Sequence, residues 1–171
     1  MVSFADVSVT DPTAHAMLVA YFQERTESFP PKQGGYSTTF PDEAQFVPPA
    51  GVFLIAYDED DRAAGCGGVR SLPTDAHTIT ASGEQAILTA PAVRYEIKHL
   101  WVEPGHRGFG LGRAILFELE DRARGFGATE LVLDTNASLE AAGGLYQSSG
   151  YVDVEPYNDN PNATNWYRKE L

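Results

Sequence analysis

The chain has 171 residues with 24 acidic against 12 basic side chains, a formal charge of −12, and 43% of its residues are hydrophobic. That length supports the core of one globular domain, expected here over residues 1–171, and so negative a surface repels nucleic-acid phosphates and anionic lipid headgroups, so neither kind of partner is expected. No apolar run approaches the roughly 20 residues that cross a bilayer, no signal-like segment follows Met1, and one cysteine, Cys66, with four scattered histidines forms neither a disulfide framework nor a zinc site, so the chain reads as a cytoplasmic protein.

Asp11 before Pro12 predicts a helix start, with an acceptor side chain at the cap and proline in the first turn. Ala14, Met17, Leu18, Tyr21 and Phe22 then repeat at the spacing of a core-facing stripe. Residues 29–50 are rich in Pro, Gly, Ser and Thr and read as a long connection with one short helix near Pro41 to Ala44. Strands are predicted over Val52 to Tyr57 and Cys66 to Leu72, joined by the acidic turn Asp58-Glu59-Asp60-Asp61. The polar segment 73–90 lacks periodicity and is either a loop or an extra hairpin.

From Ala92 to Val102 the alternation of Val93, Tyr95 and Ile97 against Arg94, Glu96 and Lys98 predicts a long strand. Its phase breaks after Lys98, where His99-Leu100-Trp101-Val102 turns apolar, as a β-bulge would make it do. A helix follows from about Gly110 to Arg124, with Leu111, Ala114, Ile115, Leu119, Ala123 and Phe126 on its core face. Glu118–Arg122 and Glu120–Arg124 read as ion pairs on its exposed side. Then come a short buried strand, Leu131 to Asp134, and a helix capped by Ser138 that runs through Leu139, Ala142, Leu145 and Tyr146 to Gly150. Two strands, Tyr151 to Glu155 and Trp166 to Leu171, close the chain. The order indicates an α/β chain with a mixed sheet covered by helices.

The informative motif is Arg107-Gly108-Phe109-Gly110-Leu111-Gly112, between a strand and a helix. Glycines there let successive N–H groups turn toward one point, and the helix dipole adds partial positive charge at that point, so the turn suits a phosphate or pyrophosphate. A phosphate loop of the Gly-Lys-Ser/Thr kind is excluded by Gly112-Arg113-Ala114. A dinucleotide fingerprint fails because its sixth position falls on Arg113 or Ile115. Taken alone, the glycines also fit a merely tight turn.

Together, Glu96 to Val102, Arg107-Gly108-x-Gly110-x-Gly112, Asn136, and Leu145-Tyr146-x-x-x-Gly150-Tyr151 resemble the GNAT family of N-acetyltransferases, over about Arg94 to Leu171. The resemblance implies a mixed sheet of about six to seven strands flanked by about four helices, with two strands splayed at the cofactor site. It also implies acetyl-CoA as co-substrate, with no metal. Arg107, Gly108, Phe109, Gly110, Leu111, Gly112 and Arg113 would surround the pyrophosphate. Backbone groups of Leu100, Trp101 and Val102 would pair with the pantetheine arm, and Asn136 would touch the cofactor or order water, with helix capping as its plainer use.

By the same resemblance Tyr146 is the acid that protonates the leaving sulfur, against the plainer reading of an amphipathic helix tyrosine. Glu96 is the base, against that of an exposed strand carboxylate paired with Arg94 or Lys98. His99 is the second choice for the base. His106 either meets a cofactor phosphate or is simply exposed. Cys66 has no nearby base, so a covalent route has little support. Gly143-Gly144, unusual inside a helix, would let the pantetheine arm or a neighbouring strand come close. The acceptor is an unidentified amine of a small molecule or peptide, and the acidic surface either favours a cationic one or serves solubility. The alternative class is a non-catalytic acyl-CoA-binding module, and a homodimer through the C-terminal strands is what family members often form.

Overall fold

The computed structural model describes residues 1–73 and 92–171. Seven strands form one sheet: β1 Ser3–Val7, β2 Gly51–Tyr57, β3 Ala63–Leu72, β4 Arg94–Val102, β5 Glu130–Thr135, β6 Val152–Asp153 and β7 Asn165–Glu170. Their spatial order is β1-β2-β3-β4-β5-β7-β6. β4 and β5 run parallel, and the other neighbours pair antiparallel. Three α-helices are described, α1 Pro12–Ser28, α2 Leu111–Gly125 and α3 Glu140–Ser148. The fourth helix expected in the 29–50 connection is only a 3-10 turn at Glu43–Phe46. It is capped by Asp42, which accepts from the Ala44 amide at 3.1 Å, and Pro48 and Pro49 stop it. The alternatives for 73–90 lie, beyond Pro73, outside the described residues.

β2 explains how the sheet is sandwiched. Its residues alternate: Val52, Leu54 and Ala56 pack with α2, while Phe53 and Ile55 pack with α1 residues Ala14, Leu18 and Phe22. A strand buried on both faces reads as the continuous apolar run seen in the sequence. The glycines around Cys66 serve close packing: a Cβ at Gly65 would stand 2.7 Å from Ile115, and one at Gly67 would stand 2.9 Å from Leu119. α2 therefore lies directly on β3. Full burial of Ile115, Leu116 and Leu119 there stabilises the fold by about 1.5–3 kcal/mol per side chain.

Three expectations are corrected. β1, unforeseen, adds to β2 from Ser3↔Tyr57 to Val7↔Phe53; five residues with one apolar alternation carry little signal. Glu120 is not on an exposed face: it is 2% exposed, with both oxygens on the Lys169 ammonium at 2.7 and 2.8 Å and Arg124 at 3.5 Å. α3 is not capped by the Ser138 side chain. Its flanking residue is Leu139, and the preceding turn is held by Asn136 Oδ1, which accepts from the Ser138 amide at 3.0 Å. Among the described residues no helix is long and apolar enough to cross a membrane, and no three His, Cys, Asp or Glu side chains gather as a metal site.

Candidate active site

β4 and β5 pair only over Arg94↔Glu130, Tyr95↔Leu131 and Glu96↔Val132. Beyond that point β4 stays with β3 as far as Val102↔Gly65, and β5 stays with β7 as far as Thr135↔Asn165, so the two strands part as a fork. The expected bulge lies at the parting. β3 pairs Gly68 with Lys98 and Cys66 with Trp101, leaving His99 and Leu100 opposite Gly67 alone, and His99 has a left-handed φ of 55°. A histidine held there is strained by roughly 1–3 kcal/mol, which the surrounding packing must offset.

The glycine turn meets the open edge of the fork. Gly108 and Gly110 have φ of 86° and 84°, a region that favours glycine, and a Cβ at either would point into open space. Gly110 caps α2, and among the described residues no side-chain hydrogen bond caps this helix N-terminus. Phe109 stands 88% exposed at the tip, Leu111 is buried in the core beneath, and Gly112 leaves ordinary contact distance to Leu145 and Val102. Arg113 donates to Ser148 Oγ at 2.8 Å, tying α2 to α3. Arg107 donates through Nε to the Val102 carbonyl at 2.9 Å and through Nη2 to Glu24 of α1. A pyrophosphate fits this turn: it needs backbone donors, a helix N-terminus and a cation, and all three are present.

Beside the fork lies a cavity of about 570 Å³, walled by α1, the 29–45 connection, the β4 bulge, the end of β5, α3 and residues 158–162. Tyr146 reaches it from α3. Its ring packs on Tyr151 and Tyr167 at 5.9 and 6.0 Å, and its hydroxyl has no hydrogen-bond partner among the described residues. Burial pushes its phenol up to about 12, opposed in part by Arg25 and helped by Asp134. Leu100 lines the cavity, whereas Trp101 packs on the α1 side and donates through Nε1 to Glu24 at 2.9 Å.

Glu96 is 1% exposed and stands behind the cavity wall. Arg70 reaches its Oε2 through Nε at 2.8 Å and Nη2 at 2.7 Å, while Lys98 at 3.1 Å and the Tyr157 hydroxyl at 2.9 Å reach Oε1. It is thus neither the exposed strand carboxylate nor a group facing the cavity. Four donors fill the roughly four lone-pair sites of a carboxylate. Sequence reasoning did not pair Glu96 with Arg70 or Tyr157, which come from 26 residues before and 61 residues after it.

Asp134 was also missed as a site residue. It spans the fork to Lys98 at 3.3 Å and accepts from Asn158 at 2.7 Å and Asn160 at 3.0 Å. Asn136 is 6% exposed and turned to the 29–50 connection, donating to Gln33 Oε1 at 2.7 Å and to the Asn162 carbonyl at 3.0 Å.

His99 lines the cavity between the rings of Tyr21, Phe22 and Phe46. Burial, then the charges of Lys98 and Arg70, push its imidazole down to about 3, so it is neutral at physiological pH. His106 is held by Glu103 at 2.9 Å and Asp58 at 3.0 Å, carboxylates that raise its pKa, and it ties the glycine turn to the β2–β3 turn. Cys66 is fully buried and pushed up to about 12 by that burial, which leaves no reactive thiolate.

The family model described as acetyltransferase (GNAT) family matches residues 15–151. An uncharacterized N-acetyltransferase of Schizosaccharomyces pombe is 33% identical over 117 residues, 68% of this chain and 61% of that protein. The match therefore spans less than two thirds of that relative's length. Among solved structures, an acetyltransferase of the GNAT family from Staphylococcus aureus superposes with a TM-score of 0.71 at 13% identity, covering 100% of this chain and 99% of that one. A GNAT family acetyltransferase of Elizabethkingia anophelis with acetyl-CoA bound gives 0.60 at 15% identity, covering 99% and 98%.

Proposed function

The chain belongs to the acetyltransferase (GNAT) family, and on that footing we propose that, as a single domain, it moves an acetyl group from acetyl-CoA directly to an amine within a ternary complex. The observation that carries the reading is one arrangement: the fork opens on the cavity that Tyr146 lines, and the glycine turn with the uncapped α2 N-terminus follows the end of the same strand, β4, where Arg107 holds the Val102 carbonyl. When bound, acetyl-CoA supplies the activated thioester.

Backbone groups from Gly108 to Arg113, with Arg107, hold the pyrophosphate. Leu100, Trp101 and Val102 offer the open edge of β4 to the pantetheine arm, as an added strand would use it. Asn136 acts at the site by fixing the 29–50 connection and residue 162 over the cavity. The amine nitrogen bonds to the carbonyl carbon as the C–S bond breaks. Tyr146, kept protonated by burial, gives its hydroxyl proton to the departing sulfur and regains one through solvent from the amine.

For Glu96, the expected base, the filled lone pairs support another task. We assign it to hold Arg70 and Lys98 at the cavity wall, and we assign the ammonium's proton to water. The same observation favours the second reading, a binding module without catalysis, because the two carboxylates nearest the fork, Glu96 and Asp134, have their lone pairs filled by donors. Thiol release from acetyl-CoA, followed with a panel of amines, decides between them. Release that depends on one amine class supports transfer. Tight acetyl-CoA binding without release from any amine supports the module.

A further inference from the structure

The cavity's charges run opposite to the surface. Against a chain of net −12, its wall carries Arg25, Arg70 and Lys98, and the carboxylates Asp42 and Asp134. What each group has left to offer decides which acceptor fits. Asp134 is filled by Lys98, Asn158 and Asn160, and Glu96 behind the wall is filled by four donors. Asp42 is exposed at the rim and caps the Glu43–Phe46 turn. Arg70 and Lys98 are spent on Glu96, Gln45 and Asp134.

Arg25 differs. Its Nη2 meets Glu24 at 2.7 Å, its Nε is sealed from solvent without a partner, and Nη1 has no acceptor among the described residues. Glu24 is moreover shared, since its other oxygen takes both Arg107 and the Trp101 indole. Arg25 therefore shares its one carboxylate with a second guanidinium. A half-buried guanidinium with idle donors is costly to leave unmatched and is well shaped for a carboxylate.

Next to Arg25, Phe22, Phe29, Tyr36 and Phe40 form an aromatic wall, with ring centroids 4.8 Å apart for Phe22–Phe40 and 5.6 Å for Phe29–Tyr36. Phe22, the innermost ring, is 5% exposed. We infer that Arg25 recognises a carboxylate on the acceptor, which is therefore a zwitterionic amine with an aromatic or large apolar body, rather than the purely cationic amine suggested by the net charge. The identification of this carboxylate-bearing body as an acceptor rests on the acetyl-transfer reading; the anion site itself does not.

The test separates the two. Calorimetry on the full chain compares 3-phenylpropionate with 3-phenylpropanamide, which differ only at the head group, an anion against a neutral amide, and need no turnover. The expected result is at least tenfold tighter binding of the carboxylate, a preference that falls about tenfold in Arg25→Gln and is partly retained in Arg25→Lys. In turnover, the ratio of kcat/KM for phenylalanine over phenylalaninamide falls similarly in Arg25→Gln, whereas a merely structural defect would lower both alike. Equal binding of the two probes by the wild-type chain, binding of neither, or a preference that survives Arg25→Gln overturns the inference. If Arg25→Gln fails to fold, the wild-type comparison still decides. A carboxylate preference in binding without thiol release from any amine would instead overturn the transfer reading and leave the anion site standing.

Discussion

Replacing Tyr146 with Phe removes one oxygen that has no hydrogen-bond partner among the described residues and belongs to a cavity-lining side chain, so chemistry and stability should separate. The hydroxyl makes no hydrogen bond to the described residues and the ring keeps its packing on Tyr151 and Tyr167, so the melting midpoint at pH 7 should shift by less than about 1 kcal/mol of stability. The rate should not survive in the same way. Loss of a positioned general acid lowers kcat by about 10²–10⁴, equivalent to roughly 3–5 kcal/mol of barrier, while KM for acetyl-CoA stays within about threefold.

Alkali supplies a second signature. The phenol sits at about 12 in the fold against an ordinary 10.0, so the folded chain holds this proton more tightly than the unfolded one. The contribution is fully present below pH 10 and is lost as pH rises through 12. At pH 11 the loss is on the order of 1 kcal/mol, which Tyr146→Phe escapes. Denaturant melts at pH 8 and 11 should therefore show the variant gaining about that much on the wild-type chain. Unchanged turnover in the variant, or a kcat loss accompanied by collapse of its pH 7 stability, would refute the assignment.

Lys169→Met strands the buried Glu120 carboxylate with only a distant Arg124, and should cost about 3–5 kcal/mol in denaturant melts while leaving KM for acetyl-CoA alone. For Glu24, burial raises the carboxyl pKa, but hydrogen bonds from Arg107 and Trp101 outweigh it and the net shift is downward. Its contribution is present above the ordinary carboxyl range and disappears as pH falls through the lowered value. Glu24→Gln should therefore flatten the acid limb of the stability curve. Gly144→Ala should raise stability by up to about 1 kcal/mol of helix propensity yet raise KM for acetyl-CoA, because a Cβ there enters space that the chain leaves open; an unchanged KM counts against an approach of the pantetheine arm at this position.

What was legible in the sequence is what is local in it. The glycine turn, the broken phase after Lys98 and the helix behind Gly110 each lie within a few residues of the feature they create, and they sit where expected. The acceptor cavity is assembled from distant pieces. Arg25 and Phe22 come from α1, Tyr36 and Phe40 from a connection without periodicity, and Asn158 and Asn160 from a loop with no pattern beyond turn residues. Neither the base nor the exposed strand carboxylate that the sequence offered for Glu96 anticipates its burial, because Arg70 and Tyr157, which make that burial tolerable, lie far along the chain. Glu120 misled for the same reason, since its i, i+4 partner looked like a surface pair and only β7 brings Lys169 over it.

The central claim is that the fork and the glycine turn together bind acetyl-CoA, and calorimetry on the purified chain tests it most directly, with NADH and ATP as comparison ligands. The account predicts micromolar binding of acetyl-CoA alone, abolished by Arg107→Glu, which places a carboxylate beside Glu24 and the pyrophosphate. Equal binding of all three nucleotides, or acetyl-CoA binding untouched by Arg107→Glu, would contradict it.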